Sequence, residues 1–456
     1  MIVQFETSSV TIARAIGAKH YGADMAVKYI TTDSRLLDNK SLFVPIAGQK
    51  FDGHDFIEEV CKTGKCSSVL THKHNGVAIA DRYGVSAIVC DDTLHAYMDI
   101  ARWHRKNFDI PAIGITGTNG KTTTKEMIAN VLESQGRVLK TEKNYNNEIG
   151  VPYTLLHLNK EHAFAVIEMG MNHIGEIHRL SLAAAPDIAV ITNIGEGHLE
   201  FVGSTLNVAH AKAEILDGMN KGTCIINNET KHKDIVINKA NDKKINVITF
   251  GLTGDIRPAT FAVYADKTVI QYDGIDFSVY AYGFHNVYAI LAAIAVAKVL
   301  GIPLKHVKES LECFKPVSMR SALRNGRCTI IDDSYNANPL SMEYAFASAS
   351  MVFPDKRKIA VLSDMKELGN VSKDLHYEIG AKLAHSGFAY LFIWGNDARF
   401  YADGAIATGF ERSQVCIYDD KEELINALKQ FIQSDDVVLV KGSRSMKMEE
   451  VVQALE

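Results

Sequence analysis

Apolar residues in this chain fall into short runs bounded by turn-forming positions, and the runs alternate with segments of helical spacing almost from end to end. In the first hundred residues such runs open at Ser41 (SLFVPIAG), Ser67 (SSVLTH) and Ser86 (SAIVC), with a turn at Phe51-Asp52-Gly53-His54. A charged helical stretch from Asp99 (DIARWHRKNFD) then leads into Pro111, so the pattern predicts a small α/β domain over residues 1–107. From Pro111 the order is strand, glycine-rich turn and helix, followed by apolar strands at Phe164, Ile188 and Cys224. That alternation predicts a parallel sheet covered on both faces, in a central domain over 108–315. Past Pro316 it restarts, with strands at Thr329, Lys358, Tyr390, Gln414 and Asp436 and a helix from Lys421. The third domain, 316–456, therefore reads as a doubly wound, Rossmann-like sheet. The expected fold class is α/β, in three domains.

Two segments need separate treatment. Lys231 to Lys244 is rich in Lys and Asn and is expected to be a solvated, mobile loop. Val287 to Leu304 is the most apolar stretch, but Lys298 interrupts it and it falls short of the ~20 apolar residues a bilayer requires. It is expected to be a buried, alanine-rich helix, with no membrane insertion.

Composition narrows the function classes. The 456 residues are 47% hydrophobic and 23% charged, which fits an ordinary globular protein. Lys plus Arg is 49 against 54 for Asp plus Glu, a net charge of −5 that argues against a general nucleic-acid binder. A local basic pocket for an anionic metabolite stays compatible with that balance. The seven cysteines are scattered with no C-x-x-C pair, and the N-terminus MIVQFETSSVTIARAIG has no secretory pattern. Reduced thiols and a cytoplasmic location are the expectation.

The strongest chemical signal is the run from Ala112 to Thr124, AIGITGTNGKTTT, an apolar strand entering glycines, then Lys-Thr, then a helix. Glycines let backbone N–H groups curl around phosphate and the helix N-terminus adds partial positive charge. Lys121 can neutralise the β and γ oxygens, and the Thr122 hydroxyl can hold Mg²⁺. The common G-x-x-x-x-G-K-[ST] pattern is not met, because Ile115 stands where its first glycine belongs.

With its spacing, Thr116-Gly117-Thr118-Asn119-Gly120-Lys121-Thr122-Thr123 resembles the Mur ligase family, ATP-dependent enzymes that extend the peptide of the peptidoglycan precursor. Further family motifs follow in order: Asn146-Asn147-Glu148-Ile149-Gly150-Val151-Pro152, Glu168-Met169-Gly170-Met171-Asn172, and Gly195-Glu196-Gly197-His198. Ala211-Lys212-Ala213-Glu214, Gly283-Phe284-His285-Asn286, Arg320 and Asp332-Asp333-Ser334-Tyr335-Asn336 continue the series. The last motif, with Asp364 to Gly369 and Lys441 to Met446, is similar to the branch of the family that attaches D-alanyl-D-alanine. Ala289, Ser363 and Ser445 depart from the pattern, Ala289 replacing an asparagine on the adenine side.

The resemblance implies a central P-loop ATPase-like sheet and an acyl-phosphate route to an amide between D-Ala-D-Ala and UDP-MurNAc-tripeptide. It implies ATP binding by Gly117, Thr118, Asn119, Gly120, Lys121, Thr122, Thr123, Asn286, Arg320 and Asp333. It also implies two Mg²⁺ sites drawing on Thr122, Glu168, His198 and Lys212 as a CO₂-derived carbamate, with Lys121 and Asn147 completing the catalytic set. Ser34 and Arg35 would hold the UDP-sugar; Lys441, Ser443 and Arg444 would face the dipeptide carboxylate. A monomer is expected. Without the resemblance, His198 reads as structural, Lys212 as a solvated helix lysine, Asp333 as a cap, Arg320 as a surface ion pair, and Asn147 and the short Ser-Arg motifs as turn formers. A ligase of the same fold adding a single amino acid, and a non-catalytic ATP-binding regulator, are the competing functions.

Overall fold

The structure, a computed structural model, describes residues 1–48, 50–316 and 321–456. Its centre is a six-stranded sheet in the order Asn246–Phe250, Thr223–Asn227, Ile188–Ile191, Ala112–Thr116, His162–Glu168 and Arg137–Lys140. Every pairing in it is parallel. All five residues of Ala112–Thr116 are buried, which explains why that strand lacks apolar–polar alternation: helices cover both of its faces. One cover is the helix His285–Val299, buried on nearly all sides against the helix Lys121–Glu133. The apolar stretch from Val287 is thus a core helix, and among the described residues no helix is long and apolar enough to cross a membrane.

The C-terminal sheet runs Ala322–Asn325, Thr329–Asp333, Val437–Lys441, Lys358–Ser363, Tyr390–Trp394 and Val415–Tyr418. Its first strand is antiparallel and the other five are parallel. Because the last strand inserts beside Thr329–Asp333, Asp333 and Lys441 become direct neighbours. The N-terminal sheet is mixed: Ala26–Thr31, Ser41–Phe43, Cys66–Thr71 and Ser86–Val89 are parallel, and Ile2–Ser8 and Lys19–Tyr21 flank them antiparallel.

Two features differ from the sequence expectation. Residues 233–242 form a helix rather than a mobile loop, with Val236 and Ala240 buried one turn apart against the central unit. Lys and Asn dominate the exposed face and mask this inner stripe. An antiparallel meander, Thr260–Val263, Thr268–Tyr272 and Ile275–Val279, also extends the central unit. Its second turn is Asp273-Gly274, with φ of 52° and 73°, the chemistry of a two-residue hairpin.

Candidate active site

In a parallel sheet, ligands gather at the carboxyl ends of the strands. Here the strand Ala112–Thr116 delivers the phosphate loop, His162–Glu168 delivers Glu168, and Ile188–Ile191 delivers the segment 192–198. The loop is held from below by that segment. Asn119 N donates to Asn193 Oδ1 at 2.8 Å, Thr192 Oγ1 donates to Asn119 O at 2.5 Å, and Gly195 N donates to Thr118 Oγ1 at 3.1 Å. Lys121 Nζ donates to the Gly117 and Thr118 carbonyls at 2.8 and 3.0 Å. Gly120 precedes the helix at φ 76°, and no side chain caps the helix N-terminus, which leaves it to an anion.

Gly117 has φ 149°, and a Cβ there would lie 1.9 Å from Thr192 Oγ1, an atom already bonded to the loop. Gly117→Ala is therefore expected to cost about 1–3 kcal/mol of local strain. It should also abolish the rise in melting temperature that ADP gives the parent protein. An undiminished ADP-induced rise in thermal melts would contradict this account of the loop.

Glu168 is 1% exposed. Asn146 Nδ2 donates to its Oε1 at 2.8 Å, while its Oε2 has no hydrogen-bond partner and lies 3.9 Å from the buried Lys125 Nζ. A buried carboxylate oxygen left open beside a phosphate loop suits a hard divalent cation. Thr122, in the first turn of the helix Lys121–Glu133, offers a further oxygen donor, and these residues could hold such a cation. Asn147, by contrast, uses its Oδ1 to accept from Ile149 N and Gly150 N at 3.1 and 2.9 Å, starting the helix Gly150–Leu156. Its neighbour Asn146 is the residue of the pair that reaches Glu168.

Lys212 lies on the helix Thr205–Ala213 and is 1% exposed, so it is not a solvated helix lysine. Burial, with the Lys121 cation adding to it, pushes its ammonium well below the ordinary lysine range, against the pull of Glu176 and Glu214. Glu214 is itself occupied, accepting from Gly175 N and His178 N at 2.8 and 3.1 Å. His198, at φ 57°, follows Gly197, which packs on Thr118 of the phosphate loop; its Nδ1 is 2.7 Å from Glu367 Oε2 of the C-terminal unit, and Glu200 N donates to the Glu367 carbonyl at 3.0 Å. Among the described residues no three His, Cys, Asp or Glu side chains converge as a metal cage.

The C-terminal sheet closes the site. Asn119 and Asn338 exchange side-chain amide hydrogen bonds of 2.8 and 2.7 Å across the two units. Between them opens a cleft whose lining includes Asn119, Gly120, Asp333 and Lys441. Lys441 pairs with Asp333 and donates to Asn336 O at 2.9 Å. Burial raises the Asp333 pKa, but the Lys441 charge and hydrogen bond prevail and hold it below the usual carboxylate range. Lys441, Ser443 and Arg444 therefore do not converge. Ser443 is buried and accepts from Lys366 N at 2.8 Å, and Arg444 is an exposed partner of Glu449. The buried Asn286 amide donates to Tyr282 O at 3.0 Å, so it braces the backbone. Arg320 lies outside the described residues. In the N-terminal unit the Arg35 side chain, 85% exposed, grips Asp33 through two bonds of 2.9 and 2.8 Å. That grip brings the Asp33 carboxyl down to about 2. Ser34 sits in the same turn.

A phosphate loop, an open buried carboxylate and a buried neutral-prone lysine on one parallel sheet, closed by a second sheet, define a nucleotide-dependent transferase or ligase site. The Mur ligase middle domain model matches residues 115–297, and the Mur ligase glutamate ligase domain model matches 319–444. The chain belongs to the Mur ligase family. It is 36% identical over 430 residues to the UDP-N-acetylmuramoyl-tripeptide–D-alanyl-D-alanine ligase of Bacillus subtilis, covering 93% of this chain and 92% of the relative. A crystal structure of MurF from Acinetobacter baumannii superposes with a TM-score of 0.88 at 27% identity, covering 99% of both chains. MurF ligase from Thermotoga maritima, solved with ADP, gives 0.82 at 27% identity, covering 93% of this chain and 96% of that one.

Proposed function

We propose that this chain joins D-alanyl-D-alanine to UDP-N-acetylmuramoyl-tripeptide, consuming ATP and releasing ADP and phosphate. What supports the reading is a phosphate loop leading into the helix Lys121–Glu133, the buried Glu168 ending the adjacent parallel strand, and the buried Lys212 within electrostatic reach of Lys121. A carboxylate is a poor acyl donor, so an oxygen of the tripeptide carboxylate first attacks the γ-phosphorus and ADP leaves. The dipeptide amine then adds to the acyl phosphate, the tetrahedral intermediate expels phosphate, and the amine proton passes to solvent or phosphate. Charge must be neutralised where carboxylate and triphosphate meet, and Lys121 with the helix N-terminus does this. Thr122 and Glu168 would hold Mg²⁺, which when bound shields phosphate charge and orients its oxygens.

Lys212, buried and poor at keeping a proton, is suited to add CO₂ through its neutral amine and become an anionic carbamate beside that cation. His198, pinned at the seam between units, is assigned to the second Mg²⁺ site, and Asp333 with Lys441 to the nucleoside end. Ser34 and Arg35 are assigned to the UDP-sugar and the exposed Arg444 to the dipeptide side, with the buried Ser443 bracing the turn before it. We assign the domain limits to 1–107, 108–315 and 316–456, and take the enzyme as a cytoplasmic monomer. Closing the second sheet over the loop keeps water from the acyl phosphate.

Phosphate release from Mg-ATP and UDP-MurNAc-tripeptide is expected to depend on D-Ala-D-Ala, and the nucleotide product to gain one dipeptide by mass. Release supported equally by a single amino acid would move the chain to another branch of the family. ATP binding with no amide formed would favour a regulatory protein.

A further inference from the structure

The Glu168 carboxylate has a cation behind it that the mechanism above does not use. Lys125 lies one turn beyond Lys121 on the helix Lys121–Glu133 and is 0% exposed, so protein groups rather than water must satisfy its ammonium. It donates to Thr141 O at 2.5 Å, pairs with Glu126 Oε1 at 2.9 Å and stops 3.9 Å from Glu168 Oε2. The nearer carboxylate takes the charge-assisted hydrogen bond, and the farther one keeps an oxygen with no hydrogen-bond partner.

Glu126 is in turn fixed from outside. Its other oxygen, Oε2, pairs with Lys140 Nζ at 2.9 Å, and the partly exposed Lys140 also reaches Glu133 Oε1 at 3.2 Å. Charges of alternating sign thus run inward from the surface through Glu133, Lys140, Glu126 and Lys125 to Glu168. Thr141 ties the inner end together, because Glu168 N donates to Thr141 Oγ1 at 3.0 Å while Lys125 holds the carbonyl of the same residue. The ammonium therefore stays beside Glu168 whichever carboxylate it bonds. Without the Glu126 charge, its freed N–H would turn to Glu168, and Oε2 would carry an ammonium hydrogen bond where a divalent cation needs an open oxygen.

Resting on the reading that Glu168 holds Mg²⁺, we propose that Glu126 is a positioning residue for that site: it draws the Lys125 ammonium off Glu168 and so keeps Oε2 open to the cation. Opposite effects follow from its two partners. Neutralising Glu126 hands Lys125 to Glu168, whereas neutralising Lys140 leaves Glu126 wholly to Lys125. A direct attraction between Glu126 and the cation would act alike with or without Lys125, so removing Lys125 separates the two routes.

The test measures, on the full chain, the calorimetric Kd for a non-hydrolysable ATP analogue across a Mg²⁺ series, alongside the Mg²⁺ dependence of phosphate release in dipeptide ligation. Glu126→Gln is expected to raise the half-saturating Mg²⁺ concentration by about 3–30-fold in both, with kcat at saturating Mg²⁺ within about threefold of the parent. Lys140→Met is expected to lower it by about 2–5-fold, and Glu133→Gln, at the exposed end, to leave it within about twofold. In a Lys125→Met background the Glu126→Gln effect is expected to shrink by about threefold or more. An unchanged half-saturating concentration in Glu126→Gln, beside a shifted one in Glu168→Gln, overturns the proposal and leaves the Glu168 reading standing; unchanged values in both overturn the two together. An undiminished Glu126→Gln effect without Lys125 also overturns it. If the Lys125→Met protein does not fold, the signs of Glu126→Gln and Lys140→Met decide: opposite signs support the proposal and like signs overturn it.

Discussion

Lys212→Ala is expected to lower dipeptide ligation by roughly 10²–10³-fold, the scale on which removing one preorganised electrostatic partner acts. Added bicarbonate will not restore it, because alanine has no amine to carbamylate. The same bicarbonate should raise the activity of the parent enzyme after CO₂ has been stripped from the buffer. The reasoning rests on burial: a lysine 1% exposed, with the Lys121 cation acting on it, loses much of its hold on a proton and becomes nucleophilic toward CO₂. Lys212→Met preserves apolar bulk, and its melting temperature within a few degrees of the parent would separate lost chemistry from lost fold. Turnover near the parent rate in either variant would remove the carbamate from the mechanism.

Glu168→Gln is the second large effect. The substitution keeps the shape and leaves an oxygen for the Asn146 amide, but it takes away the charge of an Oε2 that has no hydrogen-bond partner. Phosphate release should fall by about 10²–10³-fold at ordinary Mg²⁺, with the half-saturating Mg²⁺ concentration shifted upward. Lys125 retains Glu126 at 2.9 Å and the Thr141 carbonyl at 2.5 Å, so the melting temperature should fall by only a few degrees. An unaltered Mg²⁺ dependence would show that Glu168 does not face the cation.

The phosphate loop was legible from sequence because its function is local. Gly117, Gly120, Lys121 and Thr122 act through backbone they themselves shape, and the strand before them and helix after them are read from the same few residues. Glu168 was singled out only through the family resemblance; the structure adds that it is buried at the end of the strand His162–Glu168. Composition misled where the buried stripe was thin, as in residues 233–242, where two inward positions on a Lys- and Asn-rich helix carry the packing. The Asp273-Gly274 hairpin left a turn signal, but strands of four or five residues around it give too little alternation to stand out.

By itself, then, the sequence determined the three α/β units, the strand-to-helix phosphate loop and the family motifs, all properties of contiguous residues and of apolar periodicity. Only the tertiary structure decided which side chains share a site. It set Asn146 against Glu168, buried Lys212, set His198 against Glu367 and seated Lys441 on Asp333. Those pairings cross 22 to 169 positions of chain, and strand order and the seating of one sheet on another fix them. Local spacing carries no information about either.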